Sequence, residues 1–287
     1  MKSAKTHIIQ SLFDRRWDKA AASLRTPVVT LEDVSKATQD YNATEAPPRL
    51  STRNPANFFK DFIRKRSAAN RNWPAGILAR GYTARQKTGE GACFEFVRLA
   101  PGQKEPFPAS ISQPAPEAPR HKIESASLPL ASRRLGRKDE PWLVQVLVRL
   151  RVIETHLSIA SKRKILQVDH LQMSVKLRRT EIDALFLAIE QVNAEKTQEL
   201  IICCEAKGRS DDILVDQIVG QVKAVFDMPE VKQNLVLPIA VKATGPSEVY
   251  VVEFEAVRRE EAGALAAVSV ANTALYELVP AVPGIGK

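Results

Sequence analysis

Two side chains in the run LIICCEAKG, residues 200–208, are out of place in an apolar strand: Glu205 and Lys207. They stand two residues apart, so in a strand they project from the same face. Such an arrangement needs either a mutual salt bridge or a bound partner. A further acid, Asp183, lies near the start of the preceding apolar run, TEIDALFLAI. With the two runs as neighbouring strands, two carboxylates and a lysine converge at the edge of one sheet face. Carboxylates are hard oxygen ligands that suit Mg2+, with Mn2+ as a substitute. A metal held there can polarise a phosphate and supply a hydroxide nucleophile. The lysine can orient or help deprotonate the attacking water, or balance developing charge.

The elements that must position these residues follow from periodicity. The stretch 141–161 is apolar-rich at helical spacing, and 166–179 alternates moderately as a strand with a turn. Residues 180–189 and 200–208 are strands separated by a turn at 190–198, and 211–228 is an amphipathic helix. LVLPIAVKAT and EVYVVEFEAV supply two more strands. That order predicts an α/β (α+β) domain, with a mixed central sheet flanked by helices. On the helix after the lysine, Gln217 and Gln221 are four apart and share one face. They are either polar surface residues or close to the acidic site. Cys203 and Cys204 alternate inward and outward and read as small packing residues, and His156 and His170 as structural ones.

This combination, an ID in one strand, ExK ending the next, then an amphipathic helix, resembles the PD-(D/E)xK nuclease superfamily, the restriction-endonuclease-like fold. The resemblance covers roughly residues 141–255 and rests on Asp183, Glu205, Ala206 and Lys207. It implies that Asp183 and Glu205 ligate the metal, that the Ala206 carbonyl is a further ligand, and that Lys207 is the catalytic lysine. Ile182 stands where the family pattern has proline, and the distance from Asp183 to Glu205 requires an extended hairpin. Many members also place a carboxylate on the helix before the sheet, a role that would fall to Glu154, with Glu181 second. Several subfamilies carry a glutamine where Gln217 stands, close to metal or phosphate.

Charge divides the chain. Residues 1–140 hold 25 Lys and Arg against 14 Asp and Glu, whereas residues 141–287 hold 17 against 19. A basic front half on a near-neutral back half is expected of a phosphate-binding part and a working part. The expected division is a DNA-recognition domain over 1–100, a proline-rich and basic linker over 101–140, and the catalytic domain over 141–287. The front domain reads as helices: 7–24, one beginning at the Thr30–Asp33 capping box, and one from Asn54 and Pro55 through the Phe58, Phe59, Phe62 stripe. A glycine-bearing hairpin follows over 81–97. Helices, a basic third helix and a hairpin resemble a winged helix. The resemblance would give DNA contacts to Lys60, Arg64, Lys65 and Arg66 on the helix and to Tyr82, Arg85, Gln86 and Lys87 in the hairpin.

Composition narrows the classes. Three cysteines without a CxxC pair argue against a disulfide framework or structural zinc and suit a reducing cytoplasm. No apolar run is long enough for a membrane span, and no GxxxxGK[ST] occurs, so no nucleotide cofactor is expected. The expected activity is a Mg2+-dependent, type II restriction-like endodeoxyribonuclease on double-stranded DNA. It would act as a homodimer, because one site cuts one strand. The alternatives are a structure-specific or repair nuclease, an RNA nuclease, or an inactive DNA-binding protein on the same fold.

Overall fold

The computed structural model describes residues 3–44, 49–87, 89–99, 103–107, 110–134, 137, 139–177 and 180–286. The chain forms two compact units, Met1–Ala109 and Ser110–Lys287. Among the described residues no helix is long and apolar enough to cross a membrane.

The first unit contains α1 (Ala4–Asp14), β1 (Val28–Thr30), α2 (Leu31–Thr44), α3 (Asn57–Ile63), α4 (Arg66–Asn72), β2 (Tyr82–Gln86) and β3 (Ala92–Arg98). The strands form an antiparallel sheet in the order β1–β3–β2. The capping box forms as read: the Asp33 amide donates to Thr30 Oγ1 (3.1 Å), and the Thr30 amide to Asp33 Oδ2 (2.8 Å). The Phe58, Phe59 and Phe62 stripe is buried with Trp73, Phe94, Phe96 and Phe107. Two readings need correction. The first helix ends at Asp14 rather than near 24, and the helix expected from Asn54 begins at Asn57 and breaks at Arg64–Lys65.

The second unit is built on an eight-stranded mixed sheet. Its elements are β4 (Arg120–Glu124), α5 (Glu140–Arg149), α6 (Val152–Ile159), β5 (Ile165–Lys176), β6 (Glu181–Gln191), β7 (Thr197–Lys207), α7 (Val215–Phe226), β8 (Leu235–Gly245), β9 (Glu248–Phe254) and β10 (Val270–Val279). The order is β4–β10–β9–β8–β7–β6–β5, with the short Val257–Arg258 strand beside β8. Strands β5, β6 and β7 are antiparallel neighbours, and β7 then pairs in parallel with β8 after the α7 crossover. This matches the periodicity reading of a mixed sheet with helices. The long helix expected over 141–161 is two helices, because Arg151 adopts a left-handed conformation (φ 52°) between them. The stretch read as a linker is not one throughout. Residues 120–124 hydrogen-bond alongside β10 as an edge strand. Proline richness upstream hid a segment whose only apolar anchor is Ile123.

Helix α7 turns Ile218, Val222, Val225 and Phe226 inward at helical spacing. Strand β8 is buried on both faces from Leu235 to Ala243, as the central position in the sheet requires.

Candidate active site

The β6–β7 hairpin positions the acids. Ala184 stands opposite Cys204 in its register, which sets Asp183 across from Glu205 on the same face. Asp183 Oδ2 accepts a hydrogen bond from the Ala206 amide at 2.7 Å. The residue between Glu205 and Lys207 is thus tied to the opposite acid.

Glu205 is only 2% exposed. A carboxylate so deep is costly unless its lone pairs are filled. Three donors take up three of its roughly four lone-pair positions: Lys207 Nζ and Gln217 Nε2 on Oε1, and Gln221 Nε2 on Oε2. Gln221 is fully buried and also donates to the Glu181 carbonyl (2.9 Å), so it fastens the start of β6 to the same carboxylate. Both glutamines lie one turn apart on α7 and face the sheet. Gln221 is enclosed and Gln217 half-buried, and both side chains meet Glu205.

Electrostatics mark the site. Burial, and then the negative charge of Glu205, push the Asp183 carboxyl up to about 7. Burial also raises Glu205, against the opposing pull of Lys207 and Gln221. Burial works to lower the Lys207 pKa, but Glu205 and then Glu140 outweigh it, so the ammonium is held above its ordinary value. Glu140, the first residue of α5, acts on all three groups. It was missed in the sequence. Its signal was available: Asp139 caps α5 through the Trp142 amide (3.1 Å), so an acid follows directly in the first turn before an apolar helix.

Glu154, the expected helical carboxylate, lies on α6, the helix directly before β5. Its Oε1 lies 3.5 Å from Arg151, and its Oε2 is buried without a hydrogen-bond partner among the described residues. Glu181 offers the site its backbone carbonyl, and its side chain is exposed. Cys203 and Cys204 are buried free thiols, and burial pushes Cys203 up to about 12 and Cys204 upward as well. Cys204 packs in the apolar cluster on one face of the sheet and Cys203 in that on the other. His156 is enclosed, with ring nitrogens 3.1 Å from the Tyr276 hydroxyl and 3.3 Å from Glu253.

Among the described residues no three His, Cys, Asp or Glu side chains gather as a ready metal cage. The donor set nevertheless fits a hard divalent cation. A buried carboxylate, Glu205, and a half-buried one, Asp183, face each other across a hairpin, and Asp183 is loaded towards protonation by desolvation and then by the charge of Glu205. A cation between them relieves that repulsion.

The expected nucleic-acid contacts of the first unit divide by burial. Lys60, Arg64 and Lys65 are exposed on α3 and at the α3–α4 break. Arg66 is 3% exposed with its guanidinium 5.4 Å from the Phe107 ring, and Tyr82 is 6% exposed against Phe13 and Trp17. Both are core residues and cannot reach DNA. Arg85 and Lys87 both pair with Glu95 across the hairpin, at 2.6 and 2.9 Å. Gln86 is half-buried, with its Oε1 enclosed and without a partner among the described residues. Arg71, exposed on the last turn of α4, was not singled out in the sequence. No family model, curated protein or solved structure matches this chain, so the side chains gathered around Glu205 carry its functional reading alone.

Proposed function

We propose that the chain is a divalent-metal-dependent nuclease that hydrolyses phosphodiester bonds in double-stranded DNA. The observation that carries this reading is the meeting of Asp183, Glu205 and Lys207 on one sheet face, beside Glu140. The order of two helices, three antiparallel strands, a crossover helix and a parallel strand supports the restriction-endonuclease-like resemblance. In the first unit, helices followed by the β2–β3 hairpin, with β3 central in its three-stranded sheet, support a winged-helix reading and hence a DNA-facing role.

In this reading Asp183 and Glu205 would hold Mg2+, with the Ala206 carbonyl as a further oxygen donor. Bound there, a divalent cation supplies polarisation of the phosphate and a lowered pKa of water. Lys207, kept protonated by its acidic neighbours, is suited to stabilising charge that develops on the phosphate rather than to removing a proton. Gln217 and Gln221 keep Glu205 in one orientation while its Oε1 is shared with Lys207.

The test is incubation of the full chain with supercoiled and linear DNA in Mg2+ or Mn2+, with a chelator control. Cleavage that vanishes with chelator is expected, and discrete fragments would make it sequence-specific and restriction-like. A smear favours a repair or non-specific nuclease, and cutting of RNA alone moves the substrate. Binding of DNA with no cutting in any divalent metal leaves a non-catalytic protein and overturns the enzyme reading.

A further inference from the structure

A second lysine stands on the same face as the first, and it is enclosed. Lys242 of β8 is the parallel-ladder partner of Lys207, as Ala240 is of Glu205, so all four side chains share one side of the sheet. Lys242 is 3% exposed. Its Nζ donates to the carbonyls of Asp211 and, at 3.2 Å, Arg209. Both belong to the loop that leaves the Lys207 end of β7 and delivers α7.

Helix α7 begins at Val215, and Leu214 before it supplies no side-chain cap. Other ties of the loop include the Asp211 amide on the Gly208 carbonyl (3.2 Å), Ser210 Oγ beside Asp211 Oδ1 (3.3 Å), Arg209 Nη1 on the Gly286 carbonyl (3.2 Å), Ser110 on Asp212 (3.0 Å), the buried Ile213 and the short pairing of Ile213–Leu214 with Ser110–Ile111. The loop sets two things on which the site depends. It fixes where the Lys207 backbone ends, and it fixes the start of the helix whose Gln217 and Gln221 grip Glu205. Burying an ammonium costs several kcal/mol, so an apolar side chain would serve packing better. What a lysine adds is a set of donors, on a stem long enough to cross from the neighbouring strand, for the loop carbonyls of Arg209 and Asp211.

We propose that Lys242 is a positioning residue: it holds the 208–212 loop and so aligns Lys207 and the two glutamines on Glu205. The proposal rests on the nuclease reading for its consequence in catalysis, but not for its hold on the loop. The variants are Lys242→Met, which keeps the stem and removes every donor, and Lys242→Arg, which keeps charge and donors. Each is measured by thermal unfolding, by hydrogen–deuterium exchange in metal-free buffer, and by single-turnover cleavage over a range of DNA concentrations. With one or more buried hydrogen bonds lost, amides of 208–217 in Lys242→Met should exchange about tenfold faster or more, while β5, β9 and β10 keep wild-type protection. Its cleavage rate at saturating DNA should fall by about tenfold or more with half-saturation unchanged, since an alignment rather than a contact with DNA is lost. Lys242→Arg should recover most of both. Exchange and cleavage within twofold of wild type in Lys242→Met overturn the proposal. If Lys242→Met fails to fold, Lys242→Gln, which retains amide donors, is measured in its place. Unfolding of both overturns the proposal and assigns Lys242 to core stability. A wild-type chain that cuts no nucleic acid refutes the nuclease reading, and loop exchange alone then decides Lys242.

Discussion

Glu205 is satisfied by three side-chain donors, whereas Asp183 has one backbone donor and a negative neighbour, and this difference sets what each substitution does. Lys207→Ala is expected to leave DNA binding nearly intact and to lower the cleavage rate by about 10²–10³, the usual cost of one group that stabilises transition-state charge. Parallel filter-binding and single-turnover measurements check it; a wild-type rate would remove Lys207 from the chemistry. Asp183 gives a pH signature. Its folded pKa of about 7 lies above the ordinary Asp value, so its contribution to stability is fully present below about pH 4 and is lost as pH rises through about 7. Asp183→Asn in metal-free buffer is therefore expected to be more stable than wild type at pH 8 and equal to it near pH 4. Each kcal/mol recovered raises Tm by roughly 2–4 °C. Addition of Mg2+ should stabilise wild type at pH 8 and leave Asp183→Asn little changed. A calorimetric series over pH decides it; equal Tm values at pH 8 would contradict the charge repulsion described. These ionisable residues were legible because strand alternation assigns a face to every second residue. Glu140 could be placed in the first turn of α5 but not at the site, because its approach is set by how α5 packs on the sheet, and no local period encodes that.

At the level of elements, the α7 helix and the β6–β7 hairpin hold each other through Gln221. That residue is enclosed and bonds both the Glu181 carbonyl and Glu205. Gln221→Ala leaves a buried carboxylate oxygen and a carbonyl short of a donor, at a cost of about 1–3 kcal/mol. Gln217 lies nearer solvent, so Gln217→Ala should cost less in urea unfolding while still lowering cleavage. Equal stability losses for the two would contradict the burial difference. The hairpin, the crossover helix and β8 were readable from apolar runs of the right length. The split between α5 and α6 was not, because nothing in LRV marks a left-handed residue at Arg151. Strand β4 was also hidden, since its pairing with β10 joins residues more than 150 apart in sequence.

Over the whole molecule, the basic excess lies in residues 1–140 and the acidic site in the second unit. Burial sorts that excess into structural and available charge. Lys65→Ala should weaken binding to all DNA sequences alike and reduce the salt-dependence slope by about one unit. Arg66→Ala should instead destabilise the first unit, because its guanidinium packs on Phe107 inside the core. Titrations at several salt concentrations beside thermal melts separate the two, and an Arg66→Ala variant with wild-type Tm and a flattened slope would reverse this assignment. Composition showed which half is basic; only packing shows which of its cations face outward.

The hairpin that pairs Ala184 with Cys204 also pairs Gln191 with Thr197 at its other end. With about 3.4 Å per residue along a strand, the turn at 192–196 lies roughly 30 Å from the carboxylates. For protein engineering this separates handle from chemistry. Exposed turns of this kind accept inserted sequence, and register here is fixed by the ladder rather than by the turn. A fluorophore or affinity tag placed between Asn193 and Lys196 would report on the two strands from their far end while leaving Asp183 facing Glu205.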